Sequence, residues 1–143
     1  MAEHNLLTVG RLAEGALVAK RAVMHGTGSG QVKAVTGANV AVFGVAKGQE
    51  GETIATGSMV DVMVDGIAEV QAGGVVTAGD WVKVDADGKA VACASVAGHV
   101  HATDGNAGDT DPSNPELAFG LSLTAAGAED DIIEVRLVPC VIG

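Results

Sequence analysis

The sequence predicts an all-β fold, a small barrel or sandwich built as one domain, and three observations carry that expectation. Twenty-one glycines in 143 residues separate short apolar runs, a spacing that interrupts helices at nearly every turn and suits strands joined by tight connections. The apolar fraction of 48% is ample for a core. Yet Phe43, Trp81 and Phe119 are the only aromatic rings, so burial falls to Val, Ile, Leu, Ala and Met, and β-branched and small residues fit a pleated surface. Several segments also alternate apolar and polar residues with a period of two.

Taken in chain order, residues 1–15 read as an N-terminal arm, because Gly10 and Gly15 interrupt the helical spacing of Leu6, Val9, Leu12 and Ala13. The domain then spans 16–143. Gly26-Thr27-Gly28-Ser29-Gly30 resembles a phosphate cradle, but no Lys-Ser or Lys-Thr follows and the next residues alternate like a strand, so it reads as a hairpin loop. Val60-Asp61-Val62-Met63-Val64-Asp65 is the clearest strand, with its valines on one face and Asp61, Met63 and Asp65 on the other, and Gly66 is expected to break or kink it. Asp80 to Asp85, the Asp87-Gly88 turn and Lys89 to Ala92 read as a hairpin. Residues 103–116, with Gly105, Gly108, Pro112, Pro115 and several Asp, read as a long inserted loop. Ile132 to Val138 reads as a terminal strand ahead of Pro139.

The second half echoes the first in order and residue type. Ala16 to Met24, Gln31 to Val35, Ala41 to Ala46 and Val60 to Asp65 are matched by Asp80 to Asp85, Lys89 to Ala94, Leu117 to Ser122 and Ile132 to Leu137. Phe43-Gly44-Val45 and Phe119-Gly120-Leu121 anchor the match. The expectation is two similar four-strand units, about 16–70 and 77–142, packed face to face with pseudo-twofold symmetry and with Phe43 and Phe119 in equivalent core positions.

Composition excludes several functions. A net charge of −10 argues against a grip on phosphate backbones, and three rings leave little for bases to stack on, so nucleic acid is not an expected partner. Apolar runs such as Val40 to Ala46 fall far short of the roughly 20 residues that span a bilayer, and no secretory signal is visible, so neither membrane insertion nor signal-directed export is expected. Cys93 and Cys140 form no Cys-x-x-Cys pair; two free buried thiols are expected, with a disulfide left open. His99 and His101 with Asp104, and the oxygen donors Asp104, Asn106, Asp109 and Asp111, are the only hints of a metal site. A single His pair lacks a second motif, and the calcium-loop pattern fails where glycine takes its fifth position and proline its twelfth, so histidines entering a loop and a solvated acidic turn are expected, and no cofactor. Ser29, Ser58 and Ser95 lack a nucleophile-elbow context, and Asp61 and Asp65 fit a half-solvated strand, so no enzymatic role is expected.

Val42-Phe43-Gly44-Val45-Ala46, Val70-Gln71-Ala72-Gly73-Gly74, Thr77 to Asp85 and Ala118-Phe119-Gly120-Leu121 together resemble the capsid cement, or head decoration, proteins of tailed bacteriophages over about residues 12–138. The resemblance implies a β-rich structural protein on the outer surface of the virion, made in the host cytoplasm. It would bind the major capsid protein of the expanded head, bridge adjacent subunits and act as a homotrimer or homodimer. The arm and the 103–116 loop depart from the family pattern. Either could be the contact with the capsid; an arm carrying Leu6, Leu7, Val9 and Arg11 is the candidate, adding a strand to the shell, and its removal is expected to weaken capsid binding and leave the fold intact. Two other readings compete: a carbohydrate- or cell-surface-binding β module, disfavoured because Trp81 is the single ring left for a sugar platform, and a tail or baseplate component.

Overall fold

Eleven strands and no helix make up the residues described by the computed structural model, 4–93 and 116–142. In chain order they are β1 (His4–Ala13), β2 (Leu17–Val18), β3 (Ala22–His25), β4 (Gln31–Ala34), β5 (Gly44–Ala46), β6 (Thr53–Ile54), β7 (Met59–Gln71), β8 (Trp81–Val84), β9 (Ala90–Ala92), β10 (Glu116–Ser122) and β11 (Ile132–Ile142). Nine of them share one sheet, ordered β1-β4-β3-β5-β7-β11-β10-β8-β9, while β2 and β6 pair separately. Because β1 also pairs with β7, strands β1, β4, β3, β5 and β7 close into a ring. The remaining strands form a second ring, β7-β11-β10-β8-β9, closed by a parallel bridge from Ala72 to Ala90.

The second ring repeats the pairings of the first, strand for strand. The antiparallel pair Val23↔Ala34 has its counterpart in Val82↔Ala92, and Val23↔Gly44 in Val82↔Gly120. Val45↔Met63 corresponds to Leu121↔Arg136, and Val9↔Val62 to Ala68↔Val135. Even the parallel contact Ala13↔Val32 has its match in Ala72↔Ala90. Each ring uses five strands: the four legible in the sequence plus β1 in the first and the C-terminal half of β7 in the second.

That arrangement corrects three expectations. Residues 4–13 are not an arm beside the domain but the strand that closes the first ring, pairing with β7 from His4↔Ile67 to Leu12↔Met59. Val9 packs on the first core and Ala13 is buried in it, and Arg11 between them in the inward parity hides the period of two from a hydropathy reading. Second, of the break or kink expected at Gly66, the break does not occur. The chain passes through it at φ 113°, a region open to glycine, and Gly66 still pairs with Asn5. Third, β11 continues through Pro139, which sits where the β10 register slips between Ala118↔Cys140 and Gly120↔Leu137, a place where a missing N–H costs little.

Two cores follow. Ala13, Leu17, Val23, Val32, Ala46, Val60 and Val62 fill the first ring. Val70, Val82, Val84, Phe119, Ile133 and Val135 belong to the second core, which also takes Ala22, Val45 and Met63 from the outer face of the first ring. Met63, placed by alternation on the solvent side with Asp61, is therefore fully buried. A strand inside a curved sheet has two covered faces wherever another ring packs behind it. The seam is tied by polar contacts: Gln71 N–H donates to Lys20 O (2.8 Å), Ala22 N–H to Gly88 O (2.8 Å), Arg21 Nε to Gln71 Oε1 (2.9 Å), and Lys20 Nζ to Glu69 Oε1 (2.8 Å).

The β8–β9 hairpin forms as its Asp-Gly turn dictates. Asp85 Oδ1 accepts from the N–H groups of Asp87 and Lys89, both at 2.9 Å, and Gly88 takes φ 83°. Lys89 then buries its stem and meets Asp130 (2.6 Å) and Glu129 (3.0 Å). Its pKa is raised, chiefly by the hydrogen bond to Asp130 and then by that to Glu129.

The paired glycines give a direct test. A Cβ on Gly44 would fall 2.5 Å from Met63 O, and one on Gly120 would fall 2.5 Å from Arg136 O and against Val135 Cγ1. Gly44→Ala and Gly120→Ala are each expected to cost about 2 kcal/mol, read from urea melts, because backbone cannot step aside. Lys89→Met is expected to cost about 1 kcal/mol at pH 7, since both carboxylates it leaves are largely exposed. A lysine whose folded pKa is raised stabilises fully below its ordinary value near ~10.4 and loses that contribution as pH climbs through the folded value. Melts at pH 7 and pH 11 should therefore show the wild-type advantage shrinking.

Candidate functional site

The four residues singled out on the N-terminal segment do not act together. Leu6 and Leu7 are 75% and 51% exposed. They are consecutive, and both reach solvent because the β1–β7 register shifts on either side of Leu7. Leu6 also lines a cleft of about 260 Å³ with Asp65, Gly66, Ile67, Arg136, Leu137 and Val138, where β11 departs from β7. Val9, by contrast, is half-buried against the first core. Arg11 turns to the end of the first ring, its Cζ 5.4 Å from the centroid of the Phe43 ring.

The backbone around Leu6 and Leu7 matters as much as the side chains. One edge of β1 is paired with β7 along its length, whereas on the other edge β4 meets only Leu12 and Ala13. Among the described residues, the edge from His4 to Gly10 thus has no strand beside it. A second apolar feature adjoins it, since Leu12 (42% exposed) lies opposite Met59 (66%) across the same two strands.

Reactive side chains are dispersed. Among the described residues no three His, Cys, Asp or Glu side chains are placed to hold a metal ion. Cys93 and Cys140 are free thiols, each half-buried. Burial first, and then the Glu116 carboxylate, push Cys93 up to about 11; Glu116 itself is held by Lys83 Nζ at 2.5 Å. His99, His101, Asp104, Asn106, Asp109 and Asp111 lie outside the described residues, as does most of the 103–116 loop.

With this geometry, comparison with known proteins is informative. The model of the phage cement protein family matches residues 2–137. The chain belongs to the phage cement protein family. It is therefore a capsid decoration protein, a structural component of the virion. No curated protein matches it. Among solved structures, the crystal structure of head fiber gp8.5 N base in bacteriophage phi29 is similar with a TM-score of 0.61 at 18% identity, over 92% of this chain and 93% of that one. At that identity the likeness speaks for a shared all-β fold.

Phe43 is the residue whose surroundings the sequence concealed. It was expected to be a core twin of Phe119, yet Phe119 is 4% exposed while Phe43 is half-buried and stacks at 55° on the exposed ring of His25, with centroids 4.4 Å apart. The signal was present in the register: Arg11 and His25 hold the positions that Val70 and Val84 hold in the second ring.

The Cys93 environment gives a prediction. Alkylation of Cys93 by iodoacetamide should keep accelerating until about pH 11, because the thiolate is the nucleophile. Glu116→Gln, which removes a charge that opposes the thiolate, is expected to move that rise to lower pH, as read by mass spectrometry of the modified peptide.

Proposed function

We propose that this cement protein binds the outer surface of the expanded phage head and reinforces contacts between major capsid subunits, with the outer edge of β1 as its principal contact. The carrying observation is the pair of consecutive exposed leucines, Leu6 and Leu7, on β1, beside whose outer edge no strand lies among the described residues. A sheet edge offers a row of backbone donors and acceptors to an extended segment, and two exposed leucines add apolar anchors. Val9 and Arg11 serve this contact through the strand they hold in place. Self-association as a trimer or dimer suits the role, because several weak contacts on a repeating lattice gain by avidity. The charge of −10 keeps the contact one of protein with protein, away from the packaged DNA.

The closing role of β1 changes what deletion means. Removing residues 1–10 takes away most of the strand that completes the first ring, so loss of binding would be accompanied by loss of fold. Point substitutions separate the two. The double variant Leu6→Asp, Leu7→Asp is expected to melt within about 0.5 kcal/mol of wild type, as surface changes do, while its cosedimentation with expanded, undecorated capsids falls at least about tenfold, the equivalent of 1.4 kcal/mol. Wild-type protein should saturate expanded shells, leave unexpanded shells bare and raise particle survival on heating. Equal binding to both shells, or undiminished binding by the double variant, overturns the proposal.

A further inference from the structure

The second ring shows what sits on the end of such a ring. There Val70 and Val84 are fully buried beside Phe119, and the segment 35–42, running between β4 and β5 of the first ring, lies over them. Asn39, at φ 57°, donates its N–H to Val84 O (2.9 Å), and its Oδ1 accepts from Leu117 N–H (2.7 Å). Val35, Val40 and Val42 pack into the same core. One bent segment thus closes that mouth with a carboxamide between small apolar residues.

The equivalent mouth of the first ring is formed by Phe43, with His25 and Arg11 in place of the two valines. Its backbone groups corresponding to Val84 O and Leu117 N–H are His25 O and Ala41 N–H, and among the described residues no segment bridges them as Asn39 does. Arg11 donates to Gly10 O at 2.9 Å and lies over the Phe43 ring, and among the described residues no carboxylate stands within ion-pair distance of it. In a chain of net charge −10, a guanidinium left in that position at the rim of an aromatic patch has one complementary ligand, an anion.

We propose that the Arg11–His25–Phe43 mouth binds a segment of a partner protein in which an aspartate or glutamate stands between small apolar residues. The segment lies as 35–42 lies on the second ring, with its carboxylate on the Arg11 guanidinium and its backbone N–H on His25 O. The site is distinct from the β1 edge, and its test uses free protein, so it stands or falls independently of shell binding.

The experiment is an NMR titration of the full chain with two ten-residue peptides copying residues 34–43, one unaltered and one carrying Asn39→Asp. The Asp peptide is expected to shift the resonances of His25, Phe43 and Ala41 and to bind about tenfold more tightly than the Asn peptide, as a charge-assisted bond exceeds a neutral one. Arg11→Val, which installs the residue type of the second ring, is expected to erase that preference while Arg11→Lys retains part of it. No shift at the mouth at millimolar peptide, or an Asp preference that survives in Arg11→Val, overturns the proposal.

Discussion

Everything else in this molecule depends on the continuity of β7. Its first half, from Met59 to Asp65, is the last strand of one ring, and its second half, from Ile67 to Gln71, is the first strand of the next. Ile67 is the point of exchange, pairing with His4 of β1 and with Arg136 of β11. Such a strand fixes the orientation of the two rings through covalent backbone. Glycine at 66 makes this feasible, since the positive φ there lets the strand change direction without ending.

Sharing a strand also explains the composition. Two rings that meet along one strand pack side by side, so residues such as Met63, Val45 and Ala22, outward-facing in their own ring, are inside the molecule. Small and β-branched side chains fill narrow rings and tolerate burial on both faces, whereas aromatic rings would overfill them. The close approach of Gly44 to Met63 O and of Gly120 to Arg136 O expresses the same limit on space. The few cations bind the pieces together: Lys20 with Glu69 across the seam, Lys83 with Glu116, and Lys89 with Glu129 and Asp130.

A decoration protein must present surface to a shell without polymerising on itself, and the two rings answer this by closing most of their edges. The stretch of β1 from His4 to Gly10 that has no strand beside it among the described residues is short and is interrupted by register shifts at Leu7; short irregular edges are poor templates for self-pairing yet still accept a chosen partner. The differences between the rings fall at their ends, where Arg11 and His25 replace two valines, and that is where a repeated architecture gains a separate surface.

How much of this was legible can be judged residue by residue. The sequence by itself determined the all-β class, through glycine spacing and the alternation in Val60 to Asp65 and Trp81 to Val84. It likewise determined the Asp87-Gly88 hairpin, the correspondence of Phe43-Gly44 with Phe119-Gly120, and the family, because these are local patterns that backbone sterics and turn chemistry impose within a few residues. Tertiary structure alone decided that residues 4–13 complete a ring, that β7 runs through Gly66, that Met63 is buried and that Phe43 is only half-covered. Each of those depends on which strand lies alongside and what packs behind it, a long-range relation that a period of two cannot encode.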